Sequence, residues 1–164
     1  MGQFNDKILA EFQPPKKWKL GRDLTYTTND LTAVEVRSLH SVGVAVIRDT
    51  NKTESITVPI GFITDLASTP RLLWNVIAPF DVARAAIVHD LLYKAIRNYR
   101  WTVAKTAPGE DTKLIANAKK AADKVFLLAM KDSDPRVSKW KMYCAWKAVD
   151  LFGRWSIIPN ESNI

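Results

Sequence analysis

The chain has 164 residues, a length that suits one domain, and its 24 Lys and Arg against 17 Asp and Glu leave a formal net charge of +7. A single cysteine, Cys144, excludes an intrachain disulfide framework and a cysteine-based zinc finger, and two histidines argue against a His-rich zinc site. No apolar run in the sequence approaches the ~20 residues needed to cross a bilayer, and the first residues show no signal-peptide pattern.

The N-terminal part of the chain predicts an extended arm followed by strands. Residues 1–22 carry Pro14-Pro15 among lysines, a stiff and solvated segment, and residues 23–164 are predicted to form a single α+β domain. Four segments between residues 23 and 60 are β-branched or alternate between apolar and polar residues, with turn residues between them. These segments, residues 23–27, 31–36, 42–47 and 55–58, predict an antiparallel sheet of three or four strands.

Beyond Gly61 the pattern changes to helical spacing. Thr69 and Pro70 have the character of an N-cap and a first helical position, and they open a short predicted helix that ends at about residue 76. Longer helices are predicted at about residues 81–99, 111–131 and 135–152, with Gly153 as the C-terminal cap of the last. Strands followed by helices predict an α+β fold, an N-terminal sheet and then a bundle of about three helices.

Two polar residues stand where the helical pattern expects apolar ones. His89 lies on the apolar stripe of the first long helix, and Asp123 lies on that of the second. Because an unpaired buried carboxylate is unfavourable, we expect Asp123 to bond His89 across the helix pair. Tyr93 lies one turn after His89, on the same face, and is a further donor to Asp123. Asp90 is expected at the edge of the helix.

This arrangement predicts a general base. An imidazole with one nitrogen held by a carboxylate presents its other nitrogen to a water or a hydroxyl. Asp90, together with carbonyls of a nearby loop, is a candidate ligand for a hard cation such as calcium, which would stabilise an oxyanion. The alternative is a buried polar network that sets the register of the two helices.

The loop after the last predicted strand supplies further candidates. Its Asp65 is a candidate second metal ligand or orienting carboxylate, and the alternative is an Asx-turn with a helix cap at Ser68 or Thr69. Ser68 is not surrounded by a nucleophile elbow, which argues against a nucleophilic role. The candidate substrate-binding residues are Thr64, Ser68, Arg71 and Trp74.

The sequence HDLLY at residues 89–93, followed by ADKVF at residues 122–126, resembles the helix pair of secreted phospholipases A2. This resemblance covers about a quarter of the chain. It implies that His89 is the general base, Asp90 a calcium ligand, Asp123 the group that orients His89, and Tyr93 a supporting residue. The disulfides and the glycine-rich calcium loop of that family have no counterpart here, and the sequence IAPF stands at residues 77–80 instead.

A second resemblance covers residues 57–153. The sequence VPIGFITDLASTPR at residues 58–71, together with the HDLLY and ADKVF segments, is similar to an uncharacterised family, a domain of unknown function of tailed bacteriophages and prophages. The family pattern is close to VPxGFxTDLASxPR, then HDxLY, then ADxxF. The resemblance implies a phage origin and supplies no activity.

Two functions of different classes are compatible with these observations. The first is a bacteriophage-associated virion component of the tail, neck or baseplate, with a His-Asp hydrolase-like site that acts on ester or amide bonds of the host envelope. The second is a non-catalytic phage structural, assembly or host-interaction protein. The expected partners are other phage proteins, in several copies, with envelope or lipid as the candidate substrate, and the expected location is the virion or the host cytoplasm. Nucleic acid is not expected, because the basic clusters follow no nucleic-acid-binding motif.

Overall fold

The computed structural model describes residues 2–64, 82–106, 111–133, 137–161 and 163–164. Within these ranges the chain forms seven strands and four helices. In chain order they are β1 (Gln3–Phe4), β2 (Ala10–Gln13), β3 (Lys17–Leu20), β4 (Leu24–Thr28), α1 (Ala33–Ser41), β5 (Val46–Arg48), β6 (Glu54–Val58), β7 (Ile63–Thr64), α2 (Ala83–Thr106), α3 (Thr112–Lys131) and α4 (Lys139–Ser156). This order confirms the predicted α+β class.

The larger sheet is antiparallel, with strand order β1-β4-β6-β5. In β4, Leu24, Tyr26 and Thr28 are buried and alternate with half-buried neighbours, so one face of the sheet covers the core. The hydroxyl of Tyr26 donates to Asp132 Oδ2, 2.8 Å away, at the end of α3. Burial, helped by this carboxylate, raises the pKa of Tyr26. The bond ties the sheet to the helices.

The segment predicted as an arm, residues 1–22, contains β1, β2 and β3. β2 and β3 form an antiparallel pair, and β3 also pairs with β7 in a second sheet of order β2-β3-β7. Trp18 and Thr64 are partners in this sheet. The second sheet therefore brings Thr64 into a defined position.

The strand predicted over residues 31–36 is wrong, because α1 begins there. Thr32 is its N-cap, and a capping box closes the first turn. The Glu35 amide donates to Thr32 Oγ1 (3.3 Å), and the Thr32 amide donates to Glu35 Oε2 (2.7 Å). Glu35 also accepts from Lys124 Nζ of α3, 2.8 Å away. These bonds satisfy backbone donors and outweigh the strand preference of the β-branched residues. The strand predicted over residues 42–47 is shorter in the structure and begins later, as β5 (Val46–Arg48).

Helix α3 lies at the centre of the helical layer and contacts α1, α2 and α4. Its buried residues are mostly small or apolar, which allows close packing on several sides. No helix among the described residues combines the length and the apolar character that crossing a bilayer requires. The short helix predicted to end near residue 76 lies outside the described residues.

The predicted end of α4 is also wrong. The helix continues through Gly153 to Ser156, and Ile157 is its C-cap. Gly153 is buried, and a Cβ atom at this position would overlap the hydroxyl of Tyr93. The glycine is therefore explained by close packing of α4 against the side chains of the candidate site and not by helix termination.

Candidate active site

The structure brings His89, Tyr93 and Asp123 together as the sequence predicts. His89 Nε2 lies 3.1 Å from Asp123 Oδ1, and the Tyr93 hydroxyl donates to the same oxygen at 2.7 Å. The imidazole also packs against two aromatic rings, with centroid distances of 4.0 Å to Tyr93 and 4.8 Å to Phe126. His89 is 0 % exposed and Asp123 is 3 % exposed. The ring is held by one carboxylate and by packing on both neighbours.

Lys119 is a member of the site that sequence reasoning does not find. Its Nζ donates to Asp123 Oδ2 at 2.6 Å and to the carbonyl oxygens of Val149 and Asp150 at 3.2 Å each. The three ammonium protons therefore all have acceptors, two of them on α4. The signal in the sequence is the spacing of four residues between Lys119 and Asp123 on one helical stripe.

The Asp123 carboxylate, which can only accept hydrogen bonds, assigns the tautomer of His89. Burial lowers the pKa of His89, against the opposing effect of the Asp123 carboxylate, so the imidazole is neutral at neutral pH. An ionised carboxylate only accepts hydrogen bonds, so the proton of the neutral ring resides on Nε2 and is donated to Asp123. Nδ1 then carries a free lone pair. Its surface is buried, and it has no hydrogen-bond partner among the described residues.

Asp123 remains ionised despite its burial. Burial by itself raises the pKa of this carboxyl, but the hydrogen bonds that it accepts from His89, Lys119 and Tyr93 lower it below its ordinary value. The pKa of Tyr93 is raised, first by burial and then by the adjacent Asp123 charge, so its hydroxyl stays protonated and donates. The carboxylate thus accepts from three donors and keeps its charge.

Asp90 lies on the neighbouring, half-buried side of α2. Its Oδ2 accepts a hydrogen bond from the hydroxyl of Thr64, which is buried at the end of β7. Thr64, one of the predicted substrate-binding residues, therefore contacts the predicted metal ligand. In the described ranges, no three His, Cys, Asp or Glu side chains are placed to hold a metal ion.

The other predicted site residues have no described position. Asp65, Ser68, Arg71 and Trp74 all lie outside the described residues. Asp90 alone does not make a calcium site, since calcium takes six to eight oxygen ligands.

Comparison with known proteins matches most of the chain to a protein family. A family model described as "Protein of unknown function (DUF1353)" matches residues 40–149, about two thirds of the chain, and this range includes the four residues of the buried network. The predicted membership of an uncharacterised family is confirmed, and the phage association stays a prediction. Neither the curated proteins nor the solved structures contain a match.

Proposed function

We propose that this chain, which belongs to the DUF1353 family of proteins of unknown function, is a hydrolase of ester or amide bonds with His89 as its general base. One observation carries the proposal: a neutral, buried imidazole donates from Nε2 to Asp123 and leaves Nδ1 without a partner among the described residues. Buried polar atoms are nearly always paired, so an orphan nitrogen calls for an explanation. A nitrogen that accepts a proton from substrate water is such an explanation.

The reaction follows from this tautomer. Nδ1 accepts a proton from a water molecule while the water oxygen attacks the carbonyl carbon of the substrate. The imidazolium that forms is stabilised by Asp123, which already accepts its Nε2–H. Nδ1 then returns the proton to the leaving oxygen or nitrogen as the bond to the carbonyl carbon breaks. Tyr93 and Lys119 act as positioning residues, because both donate to the Asp123 carboxylate and neither forms a hydrogen bond with Nδ1, the proton acceptor.

The setting of this activity is part of the same proposal. The likeness of the 58–71, 89–93 and 122–126 segments to a family of tailed phages supports a phage protein, a tail, neck or baseplate component of the virion. An ester or amide bond of the host envelope is then the substrate class. Calcium stays a candidate through Asp90, and its requirement is a separate question from the role of His89.

A second candidate function is supported by a different observation. His89 is 0 % exposed, and Lys119 neutralises the carboxylate that would stabilise an imidazolium. A sealed network of this kind sets the register of α2, α3 and α4 in a non-catalytic structural, assembly or host-interaction protein. The two candidates differ in whether solvent reaches Nδ1.

Access to the imidazole is measured directly by chemical modification. Diethyl pyrocarbonate acylates a neutral imidazole that solvent reaches, and His40, an exposed residue, serves as the internal reference. Mass spectrometry of peptides then gives the modification rate of His89 relative to that of His40. A hydrolase requires measurable modification of His89 in the folded protein, whereas complete protection supports the sealed network.

Activity is tested on phospholipid, peptidoglycan and simple ester substrates, with added calcium and with chelator. We expect His89→Gln to lower turnover by about 10²–10⁴-fold, the usual contribution of a general base. Leu92→Ala is the matched control, because Leu92 is equally buried on the same helix and its truncation lowers stability without removing the base. Turnover is compared below the melting temperature of both variants.

Equal turnover in wild type and His89→Gln contradicts the hydrolase proposal, as does the absence of turnover on every substrate from folded wild-type protein. In either case the non-catalytic function is preferred. If chelator abolishes the activity of wild type and calcium restores it, and calcium does not restore the activity of Asp90→Asn, Asp90 is assigned as a calcium ligand. Full activity in chelator would remove calcium from the mechanism and leave His89 in place.

A further inference from the structure

The outer side of α4 exposes large apolar side chains. Its inner side packs against the protein through small residues, among them Ala145, Val149 and Gly153. Trp140 is 56 % exposed, and Trp155 is 52 % exposed. Tyr143, Leu151 and Phe152 are exposed to a similar extent. Contiguous exposed apolar surface of this kind marks an interaction site.

Three of these residues, Trp140, Tyr143 and Leu151, lie on one stripe of the helix together with two basic residues. Trp140, Tyr143, Lys147, Leu151 and Arg154 follow one another at spacings of three or four residues, so they share a face. With Trp155 we call these six residues the outer α4 face. At 1.5 Å per residue the face is about 22 Å long. None of the six belongs to the buried His89 network.

The outer α4 face is basic as well as aromatic. Lys147 Nζ lies 5.0 Å from the centre of the Trp146 ring, and the Arg154 guanidinium lies 4.2 Å from the centre of the Trp155 ring. Helix α4 holds four basic residues and one acidic residue, so its side chains sum to 4 − 1 = +3. The acidic residue is Asp150, whose Oδ2 lies 3.8 Å from Lys147 Nζ. Because both side chains are exposed, this ion pair contributes little to the free energy of folding.

This combination of residues selects one kind of partner. The flat aromatic rings of Trp and Tyr prefer the headgroup level of a bilayer, where one edge is apolar and the other is wet. Lys and Arg bind anionic headgroups while their stems cover apolar surface. A second copy of the chain would bring like charges face to face, and protein interfaces are depleted of Lys at their cores.

We propose that the outer α4 face docks the protein on an anionic phospholipid surface, with the helix lying in the plane of the interface. This inference goes beyond the proposed hydrolysis and does not depend on it, because docking uses no atom of the His89 network. If His89 is a general base, docking makes a phospholipid ester the substrate at hand. Vesicle binding is measured without turnover, so a failure to bind leaves the hydrolase proposal standing.

Binding is measured by co-sedimentation of the whole chain with vesicles of phosphatidylcholine, with and without phosphatidylglycerol. We expect binding to the anionic vesicles, weaker binding to neutral ones, and a decrease as salt rises above about 0.15 M. Replacing both exposed tryptophans, in Trp140→Ala with Trp155→Ala, removes the aromatic anchors and is expected to weaken binding by roughly tenfold or more. Val34→Ala with Ile47→Ala is the matched control, since Val34 and Ile47 are 61 % and 65 % exposed on other elements.

The charged part of the face is tested separately. Lys147→Gln with Arg154→Gln is expected to weaken binding to anionic vesicles by about fivefold per charge and to leave binding to neutral vesicles unchanged. Arg37→Gln with Lys113→Gln removes the same charge from exposed positions on α1 and α3 and serves as control. Circular dichroism checks that every variant keeps the wild-type fold.

Three results would overturn the proposal. The first is no binding of wild type to anionic vesicles. The second is an equal loss in the control variants, which would make binding a property of total charge or hydrophobicity. The third is a dimer in sedimentation velocity that the Trp140 and Trp155 substitutions dissociate while vesicle binding is unaffected, which would assign the face to a second copy of the chain.

Discussion

Replacement of Asp123 by asparagine tests the buried network most directly. Asp123 accepts from three donors, at 3.1 Å from His89, 2.7 Å from Tyr93 and 2.6 Å from Lys119. An asparagine side chain has the same shape but offers one acceptor oxygen and one donor amide. Since the Lys119 ammonium only donates, the amide oxygen has to face it. The amide nitrogen then faces His89 and Tyr93.

The loss of stability expected for Asp123→Asn follows from the burial of the Lys119–Asp123 ion pair. Lys119 and Asp123 are only 11 % and 4 % exposed at their side chains, so water replaces little of the lost attraction. Removing one partner of a buried pair costs about 3–5 kcal/mol. Lys119 keeps its two carbonyl acceptors on α4, which favours the lower end, about 3 kcal/mol. For a chain of this length the melting temperature should fall by about 6–12 °C.

The same substitution has a consequence for catalysis. With an amide N–H opposite Nε2, the imidazole accepts at Nε2 and carries its proton on Nδ1, the position that has to accept the proton of water. Turnover should therefore fall by about 10²–10⁴-fold while substrate binding is retained. Single-turnover kinetics at a temperature where Asp123→Asn is folded separate this effect from the loss of stability.

Asp150→Asn is the control for both readouts, because it makes the same chemical change in an exposed pair 3.8 Å from Lys147. Its free energy of unfolding should stay within about 0.5 kcal/mol of wild type. Urea denaturation at pH 7 provides the comparison. A loss below about 1 kcal/mol in Asp123→Asn would refute the assignment of a buried ion pair whose removal leaves the Lys119 charge uncompensated.

Three further predictions concern the same fold. Because burial lowers the pKa of His89, the unfolded chain binds a proton below pH ~6.5 that the folded chain does not. The free energy of unfolding should therefore decrease as the pH is lowered below ~6.5, by at most about 1.4 kcal/mol per pH unit. Urea denaturation of wild type and His89→Phe between pH 7 and pH 5.5 checks this, and parallel curves would contradict it. Gly153→Ala should lose about 1–3 kcal/mol, because its Cβ overlaps the Tyr93 hydroxyl, and Tyr93→Phe in the same chain should recover part of that loss in a double-mutant cycle. Thr32→Ala should lose about 1 kcal/mol through the N-cap of α1, whereas an unchanged melting curve would mean that the capping box does not stabilise this helix.

The prediction of the network succeeds because its information is local. His89 and Tyr93 are one turn apart on an apolar stripe, and Asp123 stands on a similar stripe, so periodicity alone identifies both faces. A buried carboxylate needs partners, and the nearest helix in the chain offers them. The helix α3 is predicted with almost the observed bounds for the same reason, because its residues repeat with a strong helical period.

The errors in the predicted elements arise where the residue types are compatible with two different local structures. Thr32 and Glu35 carry the capping-box signal, but their β-branched neighbours carry a strand signal, and the contact of Glu35 with Lys124 on α3 favours the helix. Glycine commonly ends a helix, yet the glycine at position 153 is explained by its close packing against Tyr93. In both cases the deciding contact comes from a residue distant in sequence.

The sequence by itself determined the helical stripes and the α+β order, because residue spacing distinguishes strands from helices. It also determined the pairing of His89 with Asp123, because a buried carboxylate on one stripe needs a partner on the neighbouring helix. Only the tertiary structure decided the third donor to Asp123 and the tautomer of His89. Lys119 reaches the carboxylate and the carbonyls of Val149 and Asp150 at once because α4 packs against α3. Burial, a property of the whole packed chain, then keeps the imidazole neutral, and the Asp123 carboxylate accepts its proton at Nε2.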